Sequence, residues 1–210
     1  INISGNYNTI EEVVRNQLIV DEGDPFNDIL FNKSIDNIRS LGIFKNVKSN
    51  IKDGSTLNLK EIDISVEEMP TGEISLAAGV GTSGTTIGGG IMEKNFLGKG
   101  INLRSNIEIS ESTIKGQFTY SKPNFAYTDN TLSTSIFSTT TDNLSDFGYK
   151  VSEMGLSVGT SYEKFENLFF SPTIKSSFED LETNSSASNS LKRQNGTYND
   201  IYFNYGVNYD

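Results

Sequence analysis

Hydrophobic positions along this chain follow two different periods, and the change falls at Met69-Pro70-Thr71-Gly72-Glu73. Before it, Ile10, Val13, Val14 and Leu18 recur as on one face of an α-helix. Thr9-Ile10-Glu11-Glu12 has the form of a capping box, so a helix is expected to start there and to end before Gly23. A second expected helix is capped by Asn27, carries Phe31, Ile35, Ile38 and Leu41 as its apolar stripe, and ends where Gly42 suits a left-handed residue. Ile1-Asn2-Ile3 alternates like a short strand, and Phe44–Ile51 and Leu57–Val66 read as strands joined around Asp53-Gly54, a hairpin signal. The predicted order is β-α-α-β-β, a small α/β module whose stripes are its core. Two helices on one face of such a sheet leave an edge strand open to an added peptide strand.

From Glu73 onward, apolar and polar residues alternate one for one. Ile101, Leu103, Ile107 and Ile109 stand against Asn102, Arg104, Asn106 and Glu108, and Ile201, Phe203, Tyr205, Val207 and Tyr209 stand against Tyr202, Asn204, Gly206 and Asn208. Repetition of this pattern predicts about eight strands, over 73–82, 85–94, 100–110, 113–122, 131–141, 149–163, 168–180 and 200–209. Links near 95–99, 123–130 and 164–167 are compact, whereas 142–148 and the Ser- and Asn-rich stretch 181–199 are longer and read as loops. Phe125, Tyr127, Tyr162, Phe165 and Tyr209 gather near one predicted end. A transmembrane β-barrel has strands of this length, this loop asymmetry and such aromatic girdles. A soluble sandwich or lipocalin-like barrel has the same period with its apolar face turned inward, so periodicity alone does not choose. Gly79, Gly81, Gly88, Gly90, Ser157, Gly159 and Ser161 tilt the balance to the membrane, because the second face is small where a soluble domain would be charged.

Composition narrows the chemistry. The 210 residues carry a formal net charge of -10, which argues against gripping nucleic acid phosphates. With no Cys and no His, thiol nucleophiles, Cys/His zinc sites and imidazole bases are all missing, and no disulfide reports on redox compartment. No enzyme, cofactor, metal or catalytic residue is therefore expected. Carboxylate pairs such as Glu108 with Glu111, or Glu179 with Glu182, are read as solvated surface. A mean hydropathy of -0.37 speaks against a transmembrane helix but not against barrel strands, which are only half apolar. The start at Ile1, without an initiator Met or a signal-peptide pattern, is read as that of an excerpt.

Several short stretches, in order across nearly the whole chain, carry a family resemblance. Gly5-Asn6 with Thr9, Arg15, Glu22-Gly23-Asp24 and Leu41-Gly42-Ile43-Phe44 with Val47 resemble the last POTRA domain of the outer-membrane protein assembly factors, the BamA family. Val66 to Gly72, Asn95-Phe96-Leu97-Gly98-Lys99-Gly100 and Pro123-Asn124-Phe125 are similar to the start of that family's barrel. The resemblance implies a POTRA domain over 1–69 and, over 70–210, the N-terminal part of an outer-membrane β-barrel, about half of one with about sixteen strands. The family's sixth outer loop, with its Arg-Gly-Phe motif, and its closing strand have no counterpart here.

The resemblance also implies a place in the cell outer membrane with the POTRA domain in the periplasm. Implied partners are unfolded outer-membrane β-barrel proteins, accessory outer-membrane lipoproteins and the lipid bilayer. A lateral seam is implied for Glu73 to Thr82, where Glu73, Ile74, Leu76, Ala78, Gly79, Val80 and Gly81 form the gate strand. Its glycines either loosen that strand or relieve crowding inside a barrel. Arg15 and Glu22 match positions that contact an accessory lipoprotein in the family, and they are equally placed for a local ion pair. Rival readings are a translocation or autotransporter-assembly pore of the same plan and a passive eight-stranded barrel or adhesin.

Overall fold

A computed structural model describes residues 1–56, 59–81 and 84–209, in two compact units. The first unit comprises Ile1–Gly72 together with Glu93–Ile101. Its elements run β1 (Asn2–Ser4), α1 (Glu11–Arg15), α2 (Asp28–Ser40), β2 (Phe44–Asp53) and β3 (Lys60–Glu68). β3 is central, parallel to β1 and antiparallel to β2, with Val47 opposite Val66 and Ile51 opposite Ile62. Val13 and Val14 of α1, Phe31, Ile35 and Ile38 of α2, and Val47, Ile62, Ile64 and Val66 of the sheet make one buried cluster. Leu18 and Leu41 pack against it.

α2 follows its local signals. The Asn27 side chain accepts the amides of Ile29 and Leu30, and Gly42 ends the helix with φ 64°. α1 departs from expectation twice. It stops at Arg15, because the chain tightens as Leu18 N donates to Arg15 O and the Ile19 amide turns to the Ser34 hydroxyl on α2. The expected capping box does not form, since the buried Thr9 hydroxyl accepts from Asn95 Nδ2 at 2.8 Å and no side chain caps the helix. The link after Asp53 is also longer than a tight turn: Gly54 N reaches Leu59 O, and β3 begins only at Lys60. Leu57, the expected strand start, lies outside the described residues.

The second unit comprises Glu73–Met92 and Asn102–Asp210. Its sheet is an eight-stranded antiparallel meander of β4 (Gly72–Gly81), β5 (Gly84–Phe96), β6 (Ile101–Ser110), β7 (Thr113–Lys122), β8 (Thr131–Asn143), β9 (Tyr149–Phe165), β10 (Leu168–Thr183) and β11 (Gly196–Tyr209), each beside its sequence neighbour. Thr82, at the end of the first expected strand, lies outside the described residues. The stretch 181–199 is not one loop: β10 runs on to Thr183, a short α3 (Asn189–Arg193) follows, and β11 starts at Gly196.

Register gathers a row of strong hydrophobes on one face: Phe118 faces Ile136, Ile136 faces Leu156, and Val158 faces Ile174, which faces Phe203. Among the described residues no second layer covers this face, and Ile136 and Phe203 are 56% and 70% exposed. A sandwich or lipocalin would bury these side chains, so its inward-facing pattern is excluded. The opposite, polar face is the concave one. It lines a cleft of about 500 Å³ to which β6 through β11 all contribute, from Asn106 to Asn204.

Candidate functional site

Two places carry the expected site residues. β4 is the first edge of the eight-stranded sheet, paired on one side with β5, and every residue from Gly72 to Gly81 is exposed. Ile74, Leu76 and Val80, each at least 80% exposed, project from the apolar face, with Ala78 in the same alternation. The outer edge of β4 therefore presents backbone donors and acceptors beside an apolar surface. A Cβ added at Gly79 or Gly81 would meet nothing within 4 Å. Glycine relieves crowding elsewhere: at Gly155 a Cβ would strike the Phe137 ring and come within 2.5 Å of Ser176 O. Among the described residues, crowding therefore does not require glycine at either β4 position.

The polar face is knitted by side chains of which the sequence pattern singled out Ser157 alone. Ser135 and Ser157 bond at 2.8 Å, and Ser121 and Ser133 at 3.0 Å. Lys175 Nζ holds Glu153 at 2.8 Å and sits 4.3 Å from the centre of the Phe137 ring. Their signal was present in the alternation, but pairing needs the register, which one strand does not encode.

The second place is α1 of the first unit. Arg15 donates to Glu11 at 2.6 Å and to Glu22 at 2.9 Å, so the local pair forms. Its hydrogen bonds to Glu11 and then to Glu22 raise the Arg15 pKa further, and Arg15, then the Ile1 amino group, hold Glu22 below the usual carboxylate range. All three side chains are well exposed, which screens the attraction and leaves them available to a partner.

At the other end of α1, Glu68 accepts from the amides of Asn8 and Thr9 at 2.7 to 3.1 Å and from Asn8 Nδ2 at 2.9 Å. Partial burial pushes the Glu68 carboxyl up, but the Thr9 and Asn8 hydrogen bonds together outweigh it and hold it below its ordinary value. The same corner contains Asn95–Gly100, the turn between β5 and β6, where Ile10 N donates to Gly98 O at 2.9 Å. Neither contact was foreseen from the local pattern.

With this geometry in view, the family comparisons are specific. The POTRA model, described as surface antigen variable number repeat, matches residues 1–69. The chain is 29% identical over 127 residues, 60% of its length, to outer membrane protein assembly factor BamA of Neisseria meningitidis serogroup B. Over 203 residues, 94% of its length, it is 26% identical to BamA of Neorickettsia risticii. The whole chain superposes on the crystal structure of Haemophilus ducreyi BamA lacking POTRA domains 1-3, with a TM-score of 0.83 at 21% identity. Along its length the chain is similar to BamA-family proteins. Its first unit contains the POTRA domain, and its eight-stranded sheet is the counterpart of BamA barrel strands. It spans 16% and 27% of the two BamA sequences and 43% of the matched BamA chain.

Proposed function

We propose that this chain forms part of a factor that assembles β-barrel proteins in the outer membrane, with β4 as the strand that templates the client. Its localisation is the outer membrane, with the POTRA domain in the periplasm. The observation that carries the templating reading is that β4 is an edge strand of the sheet among the described residues and exposes Ile74, Leu76 and Val80. Backbone hydrogen bonds gain most where water is absent, so an unfolded client strand entering from the membrane is favoured to pair there. Gly79 and Gly81 make β4 cheaper to distort during strand exchange. The work is non-enzymatic: no covalent bond is made or broken and no cofactor takes part. Unfolded outer-membrane β-barrel proteins are the clients, and Arg15 with Glu22 form the contact for an accessory outer-membrane lipoprotein.

Introducing Gly79→Val and Gly81→Val together into the full-length protein is expected to slow client assembly while the protein itself still folds and inserts. Unimpaired assembly in that variant ends the templating reading. Arg15→Glu is expected to abolish co-purification of the accessory lipoprotein, and retained co-purification removes Arg15 from that interface.

A further inference from the structure

α1 spans only Glu11–Arg15, and no side chain caps it. A helix of that length does not sustain itself in water, so its order comes from what holds it. Its beginning is held by the β5–β6 turn. Ile10 N donates to Gly98 O, Asn95 Nδ2 donates to Thr9 Oγ1, and Gly100 lies so close to Val13 that an added Cβ would come within 3.2 Å of its Cγ1. A Cβ at Gly98, whose φ is +71°, would run into the Asn8 carbonyl oxygen.

The turn is itself braced. Asn95 Oδ1 accepts from Gly100 N at 2.8 Å, and Glu93 accepts from Asn95 N at 2.8 Å and from the Thr71 hydroxyl. This conformation requires β5 and β6 to be folded back on one another. Arg15 is the last residue of α1, so its alignment with Glu11 and Glu22 depends on a helix that the turn completes.

We propose that the β5–β6 turn orders α1 and so creates the Arg15–Glu22 partner surface, making partner recruitment conditional on formation of the first barrel hairpins. The ordering half stands on the contacts above, and the recruitment half rests on the proposed partner role of Arg15 and Glu22.

The test is amide hydrogen exchange by mass spectrometry on the full chain in lipid vesicles, comparing wild type with Thr9→Val, Gly98→Ala and the exposed-site control Lys99→Ala. Peptides covering Val13 to Leu18 are expected to exchange about tenfold faster in the first two variants, with α2 and β3 as protected as in wild type, because local opening is read separately from global unfolding. Lys99→Ala is expected to match wild type. Wild-type protection of Val13 to Leu18 in Thr9→Val overturns the inference, and Thr9→Val decides alone if Gly98→Ala also loses protection in α2 and β3. Arg15→Glu, assayed for accessory-lipoprotein binding, separates the two readings. Binding retained there, with faster exchange in Thr9→Val, overturns recruitment and leaves ordering standing.

Discussion

Glu68 illustrates how one side chain organises the start of α1. Its carboxylate gathers the Asn8 and Thr9 amides just ahead of the helix. Glu68→Gln keeps the shape but loses the charge, and is expected to destabilise the POTRA domain by about 1–2 kcal/mol at pH 7 in thermal melts. The folded-state pKa lies below the unfolded one, so this contribution is complete above the ordinary Glu range near about pH 4.3 and is lost as pH falls through the lowered value. The gap between the two proteins in their melts should therefore close as pH falls below the ordinary Glu range. Glycines divide in the same residue-by-residue way. Gly155→Ala is expected to cost the eight-stranded sheet about 1–3 kcal/mol by overpacking against Phe137, whereas Gly79→Ala, with open space around it, is expected to leave heat-modifiable gel migration unchanged.

Among the elements, α2 was the most legible in sequence, because its cap, stripe and terminating glycine all lie within the helix or next to it. Asn27→Ala is expected to lower POTRA stability by about 1 kcal/mol, and Ile38→Ala, which empties a fully buried site, by about 2–5 kcal/mol, both measured by denaturant unfolding. α1 was legible as a helix but not in its extent, since the groups that hold its start come from afar: Glu68 lies 59 residues from Thr9, and Asn95 lies 86 away. Strand positions were readable from the two-residue period, and the expected spans fall on β4 through β11. The β4 candidate residues were readable as an alternating strand, but their standing at a sheet edge required the strand order. The stretch 181–199 was misread because Ser and Asn marked it as loop, while its ends are drawn into strands by register: Asp180 pairs with Thr197 and Leu181 with Gly196.

On the scale of the whole molecule, the apolar face dictates the solvent. Exposed Ile107, Ile136, Leu156, Ile174 and Phe203 are sequence-distant yet share one surface, far more than a soluble domain leaves to water. Lipid vesicles are therefore expected to protect the strands beyond Glu73 from protease, with the periplasmic domain cleaved where the enzyme has access. Equal cleavage of the strands with and without vesicles would contradict a membrane-embedded sheet. The polar face adds a demand of its own.

Because successive side chains alternate between faces, a one-residue slip of β10 against β9 would turn Lys175 out into hydrocarbon and leave Glu153 facing the wrong neighbour. Either charge stranded in that way is costly, so the ion pair works as a proofreading mark: the lipid itself penalises mispaired strands.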